Sequence, residues 1–330
     1  EIQNVAYWQK WVRRIFETRK DVKIIITGSS AKLLSKELTT ELRGRILSIE
    51  IFPLRFTELL RWRGVTFDRK TIEYSRENVV IKDQFNFYLK NGGYPAIVLE
   101  PPVVHQQILQ QYFDSMILND VAERHKIRDI RKLKALSHLL FEQVGRNLSL
   151  SKLADKMTSL GFKISKNTVS AHVGYLADAY LFFQNLRYEY SLGKQLGSIK
   201  KNYCLDNGLL NAVSFKFSED IGRLLENLVF LELRRSRSTI FYHKDKAECD
   251  FVVQKKNKII AAIQVTKELH DDNETREMRG LKEAMTRYRL DQGLIITYDG
   301  ERKEIKWERK KIGIIPAWLW LLDNPLSQGV

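Results

Sequence analysis

Four polar side chains in the last third of the chain could together bind a divalent metal ion. Glu226 lies in a predicted helix, Glu248 and Asp250 open a predicted strand, and Gln264 lies near the end of the next strand. Carboxylate and amide oxygens are ligands that Mg²⁺ accepts in proteins, and a metal held in this way can activate water or stabilise a phosphoryl oxygen. The pattern therefore indicates a catalytic site of Glu226, Asp250 and Gln264, with Asp250 and Glu226 as the metal ligands.

The same pattern differs from a phosphodiester-cleaving site at the position of its lysine. Sites of the PD-(D/E)XK nucleases place a lysine two residues after the last acidic position. In this chain Gln264 occupies the last acidic position, and Thr266 occupies the position of the lysine. Lys267 follows one residue later, where its side chain would point to the other face of a strand. Two interpretations stay open: a nuclease-like site, and an inactive nuclease-like fold or ordinary surface carboxylates.

A second candidate for chemistry lies near the N-terminus. The apolar run at residues 23–27 reads as a strand and ends in Gly28-Ser29-Ser30, where a nucleotide-hydrolysing enzyme places a polar residue that orients water. Arg43 and Arg45 could supply a cation to a γ-phosphate. The sequence contains no GxxxxGK[ST] phosphate-binding loop. Taken alone, both features are structural: a strand end that needs a turn and a helix end that needs charge.

A third candidate is a nucleic-acid face on a predicted helix. Lys166, Asn167, Ser170 and His172 occupy its polar side and offer short donors and one cation, which suit phosphates and base edges. The helix belongs to a helix, turn, helix and hairpin order typical of a winged helix-turn-helix. The alternative is a protein-docking or spacer domain whose polar face is merely solvated.

The hydrophobic periodicity predicts the elements that position these residues. A strand, turn and helix at residues 23–38 and a strand at 46–52 indicate an α/β unit. Helical spacing dominates residues 79–144, and two apolar helix stripes follow at 150–177. Residues 220–297 read as helix, three strands, helix and strand, a separate α/β core. The fold class is therefore multidomain α/β.

The net charge of the chain indicates which class of binding partner it favours. The formal net charge of +15 and a pI near 9.6 favour polyanions, with DNA as the leading partner. A generally basic protein of a heat-adapted organism is the alternative.

The longest stretch without a charged side chain has 13 residues, residues 101–113, which excludes a membrane helix. Two cysteines indicate a reducing compartment, and we expect the cytoplasm.

Many short stretches in order resemble a group of archaeal and bacterial AAA+ ATPases with a C-terminal domain of unknown function. The resemblance covers nearly the whole chain, and its main stretches are Glu1-Ile2-Gln3-Asn4, residues 24–34, Glu41-Leu42-Arg43-Gly44-Arg45, Gly92-Gly93-Tyr94-Pro95, residues 119–124, residues 222–227, Glu248-Cys249-Asp250-Phe251 and Gln264-Val265. It implies a partial P-loop NTPase (AAA+) α/β domain, after the Walker B strand, at residues 1–60. A helical segment would follow at 61–128, a winged helix-turn-helix at 129–195, and a restriction-endonuclease-like α/β domain at 196–330.

The resemblance also implies roles for the N-terminal residues. Glu1 takes the place of the catalytic glutamate, Ser29 or Ser30 would sense a γ-phosphate, and Arg43 or Arg45 would reach a bound or neighbouring nucleotide. ATP and Mg²⁺ would be used by a full-length form that carries the phosphate-binding loop, and no cofactor is assigned to this chain. Whether this chain is itself an enzyme, and whether it forms a homo-oligomer, is left open. The rival hypothesis is a DNA-binding or Mg²⁺-dependent nuclease-like protein in which the ATPase remnant is only scaffold.

Overall fold

A computed structural model describes residues 2, 5, 7–19, 21–29, 47–214 and 220–323. The chain separates into two compact units. The first contains residues 1–51, 112–137 and 150–182, and the second contains residues 52–111, 138–149 and 183–330. The molecule is mixed α/β, as the sequence predicts at this coarse level.

The described elements follow one another in this order: α1 (Trp8–Thr18), α2 (Phe56–Trp62), α3 (Glu77–Asn91), α4 (Pro95–Leu99), α5 (Pro102–Ser115), a π-helix (Met116–Glu123), α6 (Ile130–Glu142), β1 (Asn147–Leu148), α7 (Leu150–Ser159), α8 (Lys166–Asp178), β2 (Phe182–Arg187), α9 (Leu192–Gly197), β3 (Lys200–Cys204), α10 (Asn207–Val213), α11 (Ile221–Arg235), β4 (Thr239–Lys244), β5 (Glu248–Lys255), β6 (Lys258–Thr266), α12 (Asp271–Arg287), β7 (Gln292–Thr297), β8 (Lys303–Trp307), β9 (Lys310–Pro316) and α13 (Ala317–Asp323). None of the helices among these residues is long and apolar enough to cross a bilayer.

The N-terminal part of the first unit differs from its prediction. Trp8 and Val12 of α1 are buried against Ile2, Ile24 and Ile26. The segments predicted as strands at residues 23–27 and 46–52 form no strand in their described portions. A strand needs a neighbour that completes its backbone hydrogen bonds, and no described residue forms a ladder with either segment. The prediction of a strand at each segment is therefore wrong for the described residues.

The helices α7 and α8 of the first unit form where the apolar stripes predict them. Leu153, Ala154 and Met157 are buried on α7. The Ser165 side chain caps α8 by accepting a hydrogen bond from the Thr168 amide at 3.1 Å, which satisfies one of the donors left open at a helix start. The two helices agree with the predicted element order, but the predicted hairpin after them does not, because the helix α9 follows β2 and the next strand, β3, lies beyond residue 195. The winged-helix interpretation stays a prediction.

The second unit contains a nine-stranded mixed sheet with the strand order β1-β3-β2-β4-β5-β6-β7-β9-β8. The central strands β4, β5 and β6 are antiparallel, and β7 and β9 continue the sheet in parallel. The predicted domain boundary after residue 195 stays a prediction, yet β1 and β2 from before it pair into the same sheet as the strands that follow. Sequence reasoning did not predict the β8–β9 hairpin.

The core of the second unit lies between this sheet and α12. Buried residues from both contribute, among them Phe241, Val252, Ala262, Leu281 and Ile295. Lys256 and Asn257 turn the chain between β5 and β6 with φ of 49° and 61°, values that two-residue hairpins with the sheet's right-handed twist require.

A bulge in β5 affects the candidate site directly. Two residues, Asp250 and Phe251, stand opposite the single residue Tyr242 of β4. The extra residue allows Cys249 and Val252 both to join the core against α12. Bulges often re-aim side chains beside functional sites, and here Asp250 is directed to a polar cluster.

Candidate functional site

A charged cluster of the second unit surrounds the buried ammonium of Lys201. Its Nζ atom lies 3.1 Å from Glu226 Oε1, 2.9 Å from Glu248 Oε1 and 2.9 Å from Asp250 Oδ1. The Lys201 side chain is only 4% exposed. An ammonium has three N–H donors, and each has a carboxylate acceptor here. We call Lys201, Glu226, Glu248 and Asp250 the lysine–carboxylate cluster.

Three elements of the second unit bring this cluster together. Lys201 comes from β3, Glu226 from α11, and Glu248 and Asp250 from the start of β5. The helix α11 begins where the Asp220 side chain accepts a hydrogen bond from the Arg223 amide. Leucines on α11 are buried, and this burial fixes the helix so that Glu226 faces β3.

Neighbouring groups outside the cluster also hold the carboxylates in place. The Tyr203 hydroxyl donates to Glu226 Oε1 at 2.7 Å, and Lys244 Nζ donates to Glu248 Oε2 at 2.8 Å. The backbone amide of Val265 donates to Asp250 Oδ2 at 3.0 Å. Because these groups are held from several sides, the cluster is rigid and pre-organised.

The charges in the cluster shift one another's titration. Burial alone would lower the pKa of the Lys201 ammonium, but the charges of Asp250 and Glu226 outweigh it, and the pKa lies well above its ordinary value. Burial raises the pKa of Glu226 to about 7, against the opposing effect of Lys201. The pKa of Glu248 lies below its ordinary value because Lys201 and Lys244 outweigh its burial. Lys201 is therefore a permanent cation at neutral pH.

Gln264, the third predicted catalytic residue, lies beside the cluster and not within it. Its Oε1 accepts from the Asp250 amide at 3.3 Å, and its Nε2 donates to Glu277 Oε2 at 2.6 Å. Lys267 pairs with Glu268 at 3.7 Å and its side chain is 57% exposed. Lys267 thus points away from the carboxylates, as strand alternation predicts.

The residues predicted as metal ligands, Asp250 and Glu226, lie close together but face a lysine. Mg²⁺ requires oxygen ligands at about 2.1 Å and keeps several waters. In the described part of the chain, no group of three or more His, Cys, Asp or Glu side chains is arranged to hold a metal ion. The Mg²⁺ that the nuclease-like resemblance implies therefore does not fit this arrangement while Lys201 occupies its centre.

Ser29 is the member of the predicted nucleotide site that the structure describes. Its hydroxyl donates to Asp120 Oδ1 at 2.5 Å and accepts from Arg124 Nη2 at 3.3 Å. Asp120 lies on the π-helix and Arg124 directly follows it. π-Helices are rare and frequently occur at functional sites. Glu1, Ser30, Arg43 and Arg45 lie outside the described residues.

Three of the four predicted DNA-contacting side chains are exposed on α8. These are Lys166, Asn167 and Ser170. His172 differs from its prediction, because it is buried, only 8% exposed, three residues after the buried Val169. Burial, together with the charges of Lys132 and His125, lowers the pKa of His172. The His172 imidazole is therefore not presented on the polar face of α8.

Sequence reasoning missed Lys201, the residue at the centre of the strongest cluster. Lys200 and Lys201 are adjacent, and the sequence does not distinguish the partly exposed one from the buried one. The available signal was alternation along β3: Lys201 and Tyr203 are two residues apart, and both contact Glu226.

Family profiles match three stretches of the chain. The AAA domain profile matches residues 1–60. Residues 82–220 match a domain of unknown function, DUF8612, and residues 221–320 match a further domain of unknown function, DUF4143. The lysine–carboxylate cluster draws Glu226, Glu248 and Asp250 from the last of these domains and Lys201 from the one before it.

Two relatives extend over most of the chain. The uncharacterized protein MJ1544 of Methanocaldococcus jannaschii is 38% identical over 333 residues, which covers 98% of this chain and 73% of the relative. An uncharacterized protein of Haemophilus influenzae is 33% identical over 275 residues, covering 82% of this chain and 66% of that protein. The chain belongs to the same family as MJ1544. No solved structure matches it.

Proposed function

We propose that this chain is part of an AAA-type ATP-binding protein that engages DNA, and that ATP hydrolysis belongs to a full-length form carrying a phosphate-binding loop. The AAA domain match over residues 1–60 supports nucleotide binding at a coarse level. The observation that carries the finer proposal is the contact of Ser29 with Asp120 and Arg124.

This contact supports a sensing role for Ser29. Its hydroxyl lies between an anionic and a cationic side chain, both less than a quarter exposed. A phosphate near Ser29 would compete with Asp120 for the hydroxyl and would attract Arg124. The presence or absence of the phosphate would then change the packing of the π-helix. The charge of a bound nucleotide would in this way act on the predicted helical segment.

The first prediction concerns ATP turnover. In the full-length form, Ser29→Ala is expected to lower the rate of ATP hydrolysis about 100-fold, the usual cost of removing one transition-state hydrogen bond donor. Phosphate release measures it. Ser159→Ala is the matched control, because Ser159 is an exposed serine at the end of α7, and its turnover should equal that of the unmodified protein. Unchanged turnover in Ser29→Ala would contradict the sensing role.

The alternative is a DNA-binding or Mg²⁺-dependent nuclease-like protein in which the ATPase part is scaffold. It is favoured by the approach of Glu226, Glu248 and Asp250 to one point. It is opposed by Thr266 at the lysine position and by the ammonium of Lys201 between the carboxylates. Mg²⁺-dependent nicking of supercoiled DNA that disappears in Asp250→Ala would support the alternative, and the absence of nicking would remove its nuclease form.

A further inference from the structure

We propose that the Lys201 ammonium is the resident cation of the lysine–carboxylate cluster, in the position that a divalent metal ion would take, and that it excludes such an ion. The cluster would then be a metal-independent structural centre that joins β3, α11 and β5. The inference is independent of ATP hydrolysis and of DNA binding, because it concerns only these four side chains.

The geometry fits an ammonium and not a metal ion. Three oxygens lie 2.9 to 3.1 Å from Nζ, the range of charge-assisted N–H···O bonds. Ligand oxygens of Mg²⁺ would have to approach about 0.8 Å closer to a shared centre. Lys201 Nζ also lies 5.8 Å from the centre of the Tyr242 ring, whose π-face attracts a cation.

The surrounding contacts hold two of the carboxylates so that their first oxygens stay directed at the position of Lys201 Nζ. Asp250 Oδ2 accepts from the Val265 amide, and Glu248 Oε2 accepts from Lys244. The second oxygens of two carboxylates are thus bound to the chain, and the first oxygens are bound to Lys201. A metal ion could enter only by displacing a side chain that is 4% exposed.

Removal of the ammonium should convert the cluster into a cation site. Three carboxylates at one point repel each other strongly in a buried place. A divalent, oxygen-preferring ion such as Mg²⁺ or Mn²⁺ would relieve this repulsion. Lys201→Met keeps an unbranched apolar stem and removes the ammonium group with its charge and its three N–H donors.

The test is Mn²⁺ binding, followed by electron paramagnetic resonance, to the purified chain and its variants. We expect no stoichiometric Mn²⁺ site in the unmodified protein. Lys201→Met should bind one Mn²⁺ at least about tenfold more tightly than the unmodified protein does. Adding Asp250→Asn to this variant should abolish the binding. Lys200→Met is the matched control, because Lys200 is the adjacent lysine on β3 and its Nζ donates to Gln184 instead; it should bind no Mn²⁺.

Thermal unfolding provides a second measurement. Lys201→Met should unfold at a lower temperature in EDTA, and Mn²⁺ should restore much of the loss, because a ligand that binds only the native state stabilises it. If Lys201→Met fails to fold even with Mn²⁺, the same titration is made in Lys201→Met/Glu226→Gln, which carries one buried charge fewer. One Mn²⁺ bound to the unmodified protein and lost in Asp250→Asn would overturn the proposal. So would a folded Lys201→Met chain that binds no Mn²⁺.

Discussion

Asp206 and Lys201 are both buried charges of the second unit, yet their surroundings satisfy them differently. Lys201 is neutralised by side chains. Asp206 is held by backbone amides, with the Gly93 amide 2.8 Å from Oδ2 and the Leu209 amide 3.1 Å from Oδ1. A Cβ atom on Gly92 would overlap the Asp206 carboxylate. Gly92 thus leaves the space, and Gly93 the amide, that the Asp206 carboxylate needs where it caps α10.

The titration of Asp206 gives a pH-dependence prediction. Burial raises the pKa of Asp206 from 3.8 to about 6, in spite of the amides that oppose it. Between these values the native state binds the proton more tightly than the unfolded state, so this residue's contribution to stability falls as pH rises from about 4 to 6. Above pH 7 the contribution is constant.

The measurement compares two proteins so that other titrations cancel. The free energy of unfolding in urea is measured at pH 4, 5, 6 and 7 for the unmodified chain and for Asp206→Asn, which does not titrate. The difference between them should shift in favour of Asp206→Asn as pH rises, and a difference that is independent of pH would contradict the assignment.

At the residue scale, the sequence predicted the acidic part of the cluster but not its cation. Glu226 and Asp250 were found because a nuclease-like pattern calls for acidic residues on a helix and at the start of a strand. Lys201 lies 25 positions before Glu226 and 49 before Asp250, in a basic stretch with no motif. Only the pairing of β3 into the sheet brings it there, and long-range pairing leaves little signal in a single sequence.

Among the elements, periodicity predicted the helices α7, α8, α11 and α12 and the strands β4 to β7 closely, because each buries one face. It failed for residues 23–27, whose β-branched run is strand-like although Ile25 is 88% exposed. The composition of a segment indicates which backbone conformation it favours, whereas a strand in a sheet also requires a neighbouring strand. The β8–β9 hairpin was missed because charged residues interrupt its alternation.

The close contact of α12 with β5 gives a prediction at the element scale. A Cβ atom on Gly280 of α12 would overlap the carbonyl oxygen of Glu248, and a backbone atom in a sheet cannot move aside easily. Gly280→Ala is therefore expected to destabilise the protein by at least about 2 kcal/mol in urea unfolding, as overpacked cores do.

A matched glycine separates this contact from helix propensity. Gly222 of α11 is also helical and in the same unit, and its added Cβ would meet only ordinary contact distances. Gly222→Ala should be neutral or stabilising by up to about 1 kcal/mol. Equal destabilisation of both variants would show that the approach of α12 to Glu248 is not the cause.

Over the whole molecule, the net charge of +15 predicts salt-dependent DNA binding. The affinity for a 30-base-pair duplex, about three helical turns, is measured by fluorescence anisotropy at several salt concentrations. Lys166→Glu should weaken binding and make the logarithmic salt slope shallower by about 1. Lys306→Glu, the same charge change on an exposed residue of β8, should have the smaller effect. An affinity independent of salt would contradict DNA engagement.

The continuity of the nine-stranded sheet limits how this family can exchange parts by recombination. A gene fusion that transferred only residues 196–330 to another protein would separate β4 from β2, its parallel neighbour in the sheet. The open backbone of β4 would then invite pairing with other chains. Genes that inherit the C-terminal region are therefore expected to inherit the segment that encodes β2 with it.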